Sequence, residues 1–148
     1  MGKFDVLLHH LDPSGLQTFI YTHPGIPAYM GMNSGGLCVL WMYIDDGKRQ
    51  LGVPTNALIC ELLCRTTLEG ALGYLERVPR TIPKNFLLAY LTDGLYNVEL
   101  SPRQFYPLGD HEVLYHANHI LGAGMAERDV TLHNPKTTTL CATPGWLN

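Results

Sequence analysis

An unbroken apolar run at residues 37–44 constrains the fold more than any other segment of this 148-residue chain. Gly35-Gly36 precede the run and Asp45-Asp46-Gly47 follow it, and both are typical turn sequences. Eight apolar residues between two turns indicate a β-strand that is buried on both faces.

Shorter segments on both sides of this run have strand or helix patterns. Strands are predicted at residues 4–11, 17–22, 28–32, 85–91, 95–100 and 113–116. One helix is predicted after Gly52-Val53-Pro54, and a second from Thr66, whose spacing from Glu69 fits a Thr-x-x-Glu capping box, to Pro79. Strands that flank two helices predict an α+β fold with helices packed on a largely antiparallel sheet.

Length and composition limit the classes of protein that this chain can represent. It has the size of a single domain, 1–148, although residues 122–148 form an atypical C-terminal segment without clear periodicity. A formal charge of −3, with 10 basic and 13 acidic residues, disfavours nucleic-acid binding. No segment has the ~20 apolar residues of a membrane-spanning helix or the pattern of a signal peptide, so we expect a cytoplasmic protein with no membrane contact.

The four cysteines do not suggest a disulfide framework. Cys60 and Cys64 are one helical turn apart, and neither they nor Cys38 and Cys141 show the Cys-x-x-Cys spacing of a zinc site. We expect buried free thiols.

Two asparagine-centred motifs carry the strongest functional signal. Gly31, Gly35 and Gly36 flank Asn33, and glycines at such a corner let the backbone approach a ligand closely. The spacing alone favours the simpler interpretation, an asparagine that hydrogen-bonds its own turn.

The second motif is His116-Ala117-Asn118-His119. If this motif ends a strand, alternation places His116 and Asn118 on one face and His119 on the other. An amide N–H held rigidly there can stabilise an oxyanion, which is worth roughly 3–4 kcal/mol of barrier. Because histidines three apart on a strand face opposite ways, a zinc site is disfavoured, and we expect neither a metal nor a cofactor.

Five short motifs follow one another between residues 6 and 121 in a characteristic order. They are Gly31-Met32-Asn33-x-x-Gly36-Leu37, Gly52-Val53-Pro54, Leu68-Glu69-Gly70-Ala71-Leu72, Asn85-Phe86-Leu87-Leu88-Ala89 and His116-x-Asn118-His119. This series resembles the acyl-coenzyme A:6-aminopenicillanic acid acyltransferase (isopenicillin N acyltransferase-like) family of N-terminal nucleophile hydrolases.

The resemblance implies an αββα sandwich, here incomplete, and a cysteine at a processed N-terminus that attacks an amide or thioester carbonyl to form an acyl-enzyme. It implies that Asn118 stabilises the oxyanion and that Asn33 and His119 lie on the substrate side. The substrate would be a small amide or an acyl-CoA.

The nucleophile that the resemblance implies is not found in this sequence. It should precede Asn33 by several tens of residues, yet residues 1–32 contain no cysteine. We therefore expect a fragment or truncated member of an amidohydrolase or acyltransferase, inactive alone, whose nucleophile lies on a missing N-terminal segment or subunit. The alternatives are a non-catalytic ligand-binding or regulatory relative, and a domain that shares only the fold.

Overall fold

A computed structural model describes residues 4–110, 113–114 and 116–130 of the chain. Its centre is a seven-stranded sheet in which every strand pairs antiparallel with the next in sequence. The strands are β1 (Val6–Leu11), β2 (Gln17–Thr22), β3 (Met30–Asn33), β4 (Leu37–Tyr43), β5 (Lys84–Tyr90), β6 (Gly94–Leu100) and β7 (Phe105–Asp110). The helices are α1 (Thr55–Leu63), α2 (Leu68–Arg77) and the short α3 (Ala123–Ala126).

Helices α1 and α2 cover one face of the sheet, here called the helix-covered face. Leu37 and Val39 of β4, Phe86 of β5 and Val98 of β6 point to this face and are fully buried. They form one core cluster with the apolar sides of the two helices, namely Leu58, Ile59, Leu62, Leu63, Ala71 and Leu75. The leucine periodicity of these helices is therefore explained by burial of one side of each.

The opposite face, here called the open face, is largely uncovered over β1 to β4. By strand alternation and register, its exposed apolar side chains are Leu7, Leu11, Phe19, Met32 and Leu40. Leu40, in the middle of the apolar run, is 39% exposed. The run does form a strand, as predicted, but within the described residues it is buried on one face only.

The boundaries of α2 show how local chemistry positions a helix. The N-cap is Thr67, whose hydroxyl oxygen accepts the backbone N–H of Gly70 at 3.1 Å. The predicted N-cap at Thr66 is therefore wrong by one residue, and no capping box forms because Gly70 occupies position N3. The Thr66 carbonyl accepts the hydroxyl of Tyr90. The helix ends before Val78, which is extended because Pro79 follows it.

Six of the seven predicted strands and both predicted helices are found in the structure. The strand predicted at residues 113–116 is wrong, because Val113, Leu114 and His116 have irregular backbone; Tyr115 lies outside the described residues. The seventh strand is β7, where Pro107 and Gly109 weaken the sequence signal. Proline is tolerated there because β7 is an edge strand, and the register against β6 shifts at Asn97 and Val98.

The described residues form one sheet with α1 and α2 on one side, which agrees with the α+β class. The short α3 lies next to Tyr106 and Glu99 of the opposite side. A second sheet, as in an αββα sandwich, is not seen among them. None of the helices in this part of the chain is long and apolar enough to cross a membrane. Of the atypical segment 122–148, the structure describes the portion up to Val130.

The cysteine prediction is partly correct. Cys38, Cys60 and Cys64 are free thiols, but Cys38 and Cys60 are only half-buried and Cys64 is exposed, because it follows the last turn of α1. Cys141 lies outside the described residues.

Candidate functional site

Asn33 lies at the end of β3 on the helix-covered side, where it joins the β3–β4 corner to α1. Its Nδ2 donates to the carbonyls of Leu63 at 2.9 Å and Arg65 at 2.7 Å, and its Oδ1 accepts the N–H of Leu37 at 3.1 Å. Both amide hydrogens are therefore used within the protein. Asn33 is buried, and its side chain holds the corner in place.

The flanking glycines are needed for close backbone packing at this corner. A Cβ on Gly31 would lie 2.5 Å from the carbonyl oxygen of Phe19 on β2 and 2.9 Å from the side chain of Leu63. Gly36 has a φ of +97°, a conformation that side-chain-bearing residues rarely adopt. The glycine pattern thus reflects contact between strands and a tight turn.

A shallow cavity of about 480 Å³ lies beside this corner. Its lining is mostly apolar and consists of Met32, Asn33, Gly36, Leu37, Cys38, Ala89, Tyr90 and Leu91. Burial raises the pKa of the Cys38 thiol, so this group stays protonated and is a weak nucleophile at neutral pH.

The segment that carries Asn118 lies at the other end of the sheet. Residues 116–122 are irregular and cross the open face over β6, where they contact Glu99. Asn118 itself is exposed, whereas the ring of His116 is buried. The rings of His116 and His119 stack with centroids 6.0 Å apart, so these two histidines do not face opposite ways as predicted.

Glu99 is the residue that fixes this segment to the sheet. Its Oε1 accepts His116 Nε2 and the N–H of Leu121, and its Oε2 accepts the N–H of Gly122, each at 2.7 Å. Its side chain is completely buried. The apolar cluster of Ile44, Ile120 and Met125 stabilises the same region.

The surroundings of Glu99 form a buried polar patch on the open face. Asn85, its cross-strand partner, is fully buried and donates from Nδ2 to Asn97 and to the carbonyl of Val98. Within the described residues, Asn85 Oδ1, His116 Nδ1 and His119 Nδ1 are buried without a hydrogen-bond partner. No group of three or more metal-ligating side chains was found in this part of the chain.

Glu99 is a site residue that none of the sequence motifs contains. The available signal was a carboxylate inside the strand sequence Asn97-Val98-Glu99-Leu100, all four residues of which are buried. A carboxylate at such a position requires donors from elsewhere, but the sequence does not say that His116, Leu121 and Gly122 supply them.

The structure does not bring the two asparagine motifs together. Asn33 faces the helices, whereas Glu99 and the Asn118 segment lie on the open face. Strands β3 and β6 are three positions apart in the sheet, a separation of about 14 Å. The two sites also differ in position along the strands. Met32, next to Asn33, pairs with Cys38 of β4, whereas Glu99 is in register with Met42 of β4, four residues and about 13 Å further along.

Comparisons with known proteins identify a sequence family and solved structures with a similar fold. The sequence profile described as acyl-coenzyme A:6-aminopenicillanic acid acyl-transferase matches residues 5–138. The fold is similar to that of penicillin V acylase from Agrobacterium tumefaciens, with a TM-score of 0.52 and 18% sequence identity. The similarity covers 72% of this chain and 42% of that one, so this chain spans less than half of that enzyme. A search of curated proteins finds no significant match.

Proposed function

Because the chain belongs to the acyl-coenzyme A:6-aminopenicillanic acid acyl-transferase family, we propose that it is part of an enzyme that transfers or hydrolyses acyl groups. The substrate class is a small amide or an acyl thioester. The observation that carries this proposal is the Asn118 segment, which is anchored on the open face by a buried carboxylate. Anchoring of this kind keeps an amide donor in one place, which oxyanion stabilisation requires.

In the proposed reaction, the chain supplies the oxyanion side of the site. A cysteine thiolate, carried on polypeptide outside these 148 residues, attacks the acyl carbonyl carbon, and the carbonyl oxygen becomes an oxyanion. The side-chain amide of Asn118 donates a hydrogen bond to this oxyanion. The base that took the proton from the cysteine returns it to the amine or thiol that leaves as the intermediate collapses. Water or a second amine then attacks the acyl-enzyme, and cleavage of the acyl–sulfur bond frees the cysteine.

The cysteines of the described chain are poor substitutes for this nucleophile. Burial raises the pKa of Cys38 and Cys60, which keeps both thiols protonated at neutral pH. Cys64 is at the end of α1, on the other face of the sheet from Asn118. The isolated chain should therefore bind acyl compounds without turnover, and stoichiometric acylation of Cys38 by an acyl thioester, seen by intact mass, would contradict this assignment.

The open face supports the finer proposal of an αββα sandwich. Leu7, Leu11 and Met32 on this face are 63%, 62% and 54% exposed, an unusual amount of apolar side chain on one side of a sheet. A second sheet stacked on this face would bury these side chains and those of Phe19 and Leu40. It would also complete the burial on both faces that the apolar run predicts.

Asn33 and His119 are proposed to support substrate binding in different ways. Asn33 shapes the apolar cavity by holding the β3–β4 corner, because its amide hydrogens are already used by Leu63 and Arg65. His119 packs on His116 beside Asn118, at the part of the open face where the acyl carbonyl would lie.

The proposal is tested by Asn118→Ala in the active protein, that is, in this chain together with the polypeptide that carries the nucleophilic cysteine. The rate of acyl-enzyme formation should fall by about 100- to 1000-fold, the usual loss for one oxyanion donor. Asn56→Ala is the matched control, since Asn56 makes one hydrogen bond to the Ala28 carbonyl on the helix-covered side. An unchanged rate for Asn118→Ala would remove Asn118 from the mechanism.

A further inference from the structure

We propose that Glu99 is the positioning residue of the Asn118 segment, an inference that rests on the proposed function. Its carboxylate binds one group before Asn118 and two groups after it. Asn118 is thus held from both sides by a single buried side chain. Glu99 does not contact the substrate in this proposal, and it acts by fixing where the asparagine lies.

The hydrogen bonds of Glu99 restrict both ends of a short loop. His116 Nε2 and the N–H of Leu121 share Oε1, and the N–H of Gly122 binds Oε2. The bonded residues are separated by only residues 117–120, so the intervening chain has little freedom. The N–H of Ile120 is also fixed, by Asp129 Oδ2 at 2.6 Å.

A carboxylate suits these donors better than any other side chain. An ionised carboxylate only accepts hydrogen bonds, and bonds between a charged and a neutral group are stronger than those between neutral groups. A glutamine would place an NH₂ group against one or more N–H donors. Two donors cannot hydrogen-bond to each other, so both would lack an acceptor inside the protein. Glu99→Gln therefore keeps the volume but should release part of the segment.

The glycine at position 122 provides independent support. A Cβ on Gly122 would lie 2.9 Å from Glu99 Oε2, closer than such atoms approach in proteins. The φ of Gly122 is −64°, which any residue can adopt, so the glycine is needed for contact rather than for conformation. Gly122→Ala should therefore displace the segment while the carboxylate remains intact.

Two measurements test the proposal. In the 148-residue chain, hydrogen exchange at the amides of Leu121 and Gly122 should become at least about 10-fold faster in Glu99→Gln, because these amides lose their acceptor. In the active protein, kcat for acyl transfer should fall by about 100-fold, the effect expected from a displacement of about 1 Å, with KM nearly unchanged. Gly122→Ala should give both effects with the charge retained.

The matched control is Glu127→Gln, which removes an exposed carboxylate at the end of α3, just after this segment, and should change neither measurement. Faster exchange in Glu99→Gln with an unchanged kcat would overturn the proposal, since Glu99 would then be a structural residue only. If Glu99→Gln does not fold, Gly122→Ala decides the question by the same two measurements.

The outcome for Asn118→Ala separates this inference from the proposed function. If Asn118→Ala lowers the rate and the Glu99 and Gly122 variants do not, the positioning role is wrong and the proposed function stands. If Asn118→Ala leaves the rate unchanged, the oxyanion role proposed for Asn118 fails, and the positioning role fails with it even if exchange responds.

Discussion

Replacing Asn33 by alanine should strongly destabilise the chain, because one side chain satisfies three backbone groups. The Leu63 carbonyl and the Leu37 N–H lie in the buried core, and the Arg65 carbonyl is partly accessible. A buried polar group that loses its partner costs about 1–3 kcal/mol. Two such groups and a smaller contribution from Arg65 give an expected loss of about 3–5 kcal/mol in the free energy of unfolding.

Urea denaturation followed by tryptophan fluorescence measures this loss, and an unchanged m value shows that the same structure unfolds. Asn56→Ala is again the control, since it removes a single partly buried hydrogen bond and should cost about 1 kcal/mol. Asn33→Asp should be at least as destabilising at pH 7, because a carboxylate cannot donate to Leu63 and Arg65. A loss below 1 kcal/mol for Asn33→Ala would refute the assigned hydrogen bonds.

Two further substitutions test other parts of the fold. Gly31→Ala should lower the free energy of unfolding by about 3 kcal/mol in urea denaturation, because its Cβ would lie 2.5 Å from a backbone oxygen. Gly73→Ala in α2 is the control and should raise the free energy of unfolding by about 0.5–1 kcal/mol. Equal effects of the two substitutions would contradict the close packing of β3 on β2. Lys84 packs over the rings of Trp41 and Tyr43, and burial lowers its pKa to about 8. In the unfolded chain Lys84 keeps its proton up to about pH 10.4. The free energy of unfolding of the wild type should therefore rise between pH 8 and 10.4, by up to about 2–3 kcal/mol relative to Lys84→Met. A difference between the two proteins that does not change with pH would refute the lowered pKa.

The sequence predicts most of the fold because its strands and helices have local signals. The leucine spacing of α1, the turn residues between strands and the apolar run all depend on neighbours within about ten residues. The sequence does not predict β7, because Pro107 and Gly109 disfavour a strand. Both residues are tolerated there because β7 lies at the edge of the sheet. Edge position depends on the whole sheet and has no local signal.

The candidate site was less predictable, because its main contact joins residues distant in sequence. His116 was placed by strand alternation, yet its position is set by Glu99, 17 residues earlier. That bond joins β6 to a segment that follows β7 in sequence, so it depends on the arrangement of the strands and not on local patterns. A buried glutamate in a strand indicates that a partner exists, but topology decides which one.

Both motifs are centred on an asparagine, but the surrounding hydrogen bonds give the two asparagines different physical roles. Asn33 faces the helices and donates to the carbonyls of Leu63, at the end of α1, and Arg65, just after it. A ligand that needed the Asn33 amide would have to displace both carbonyls. The segment that carries Asn118 is instead held by the buried carboxylate of Glu99 on β6, which binds His116, Leu121 and Gly122. Because Asn118 is exposed, whereas Asn33 is buried, Asn118→Ala should affect the rate more than the stability, the reverse of what we expect for Asn33→Ala. Comparing kcat and unfolding free energy for the two alanine variants distinguishes a group that builds the site from one that acts in it.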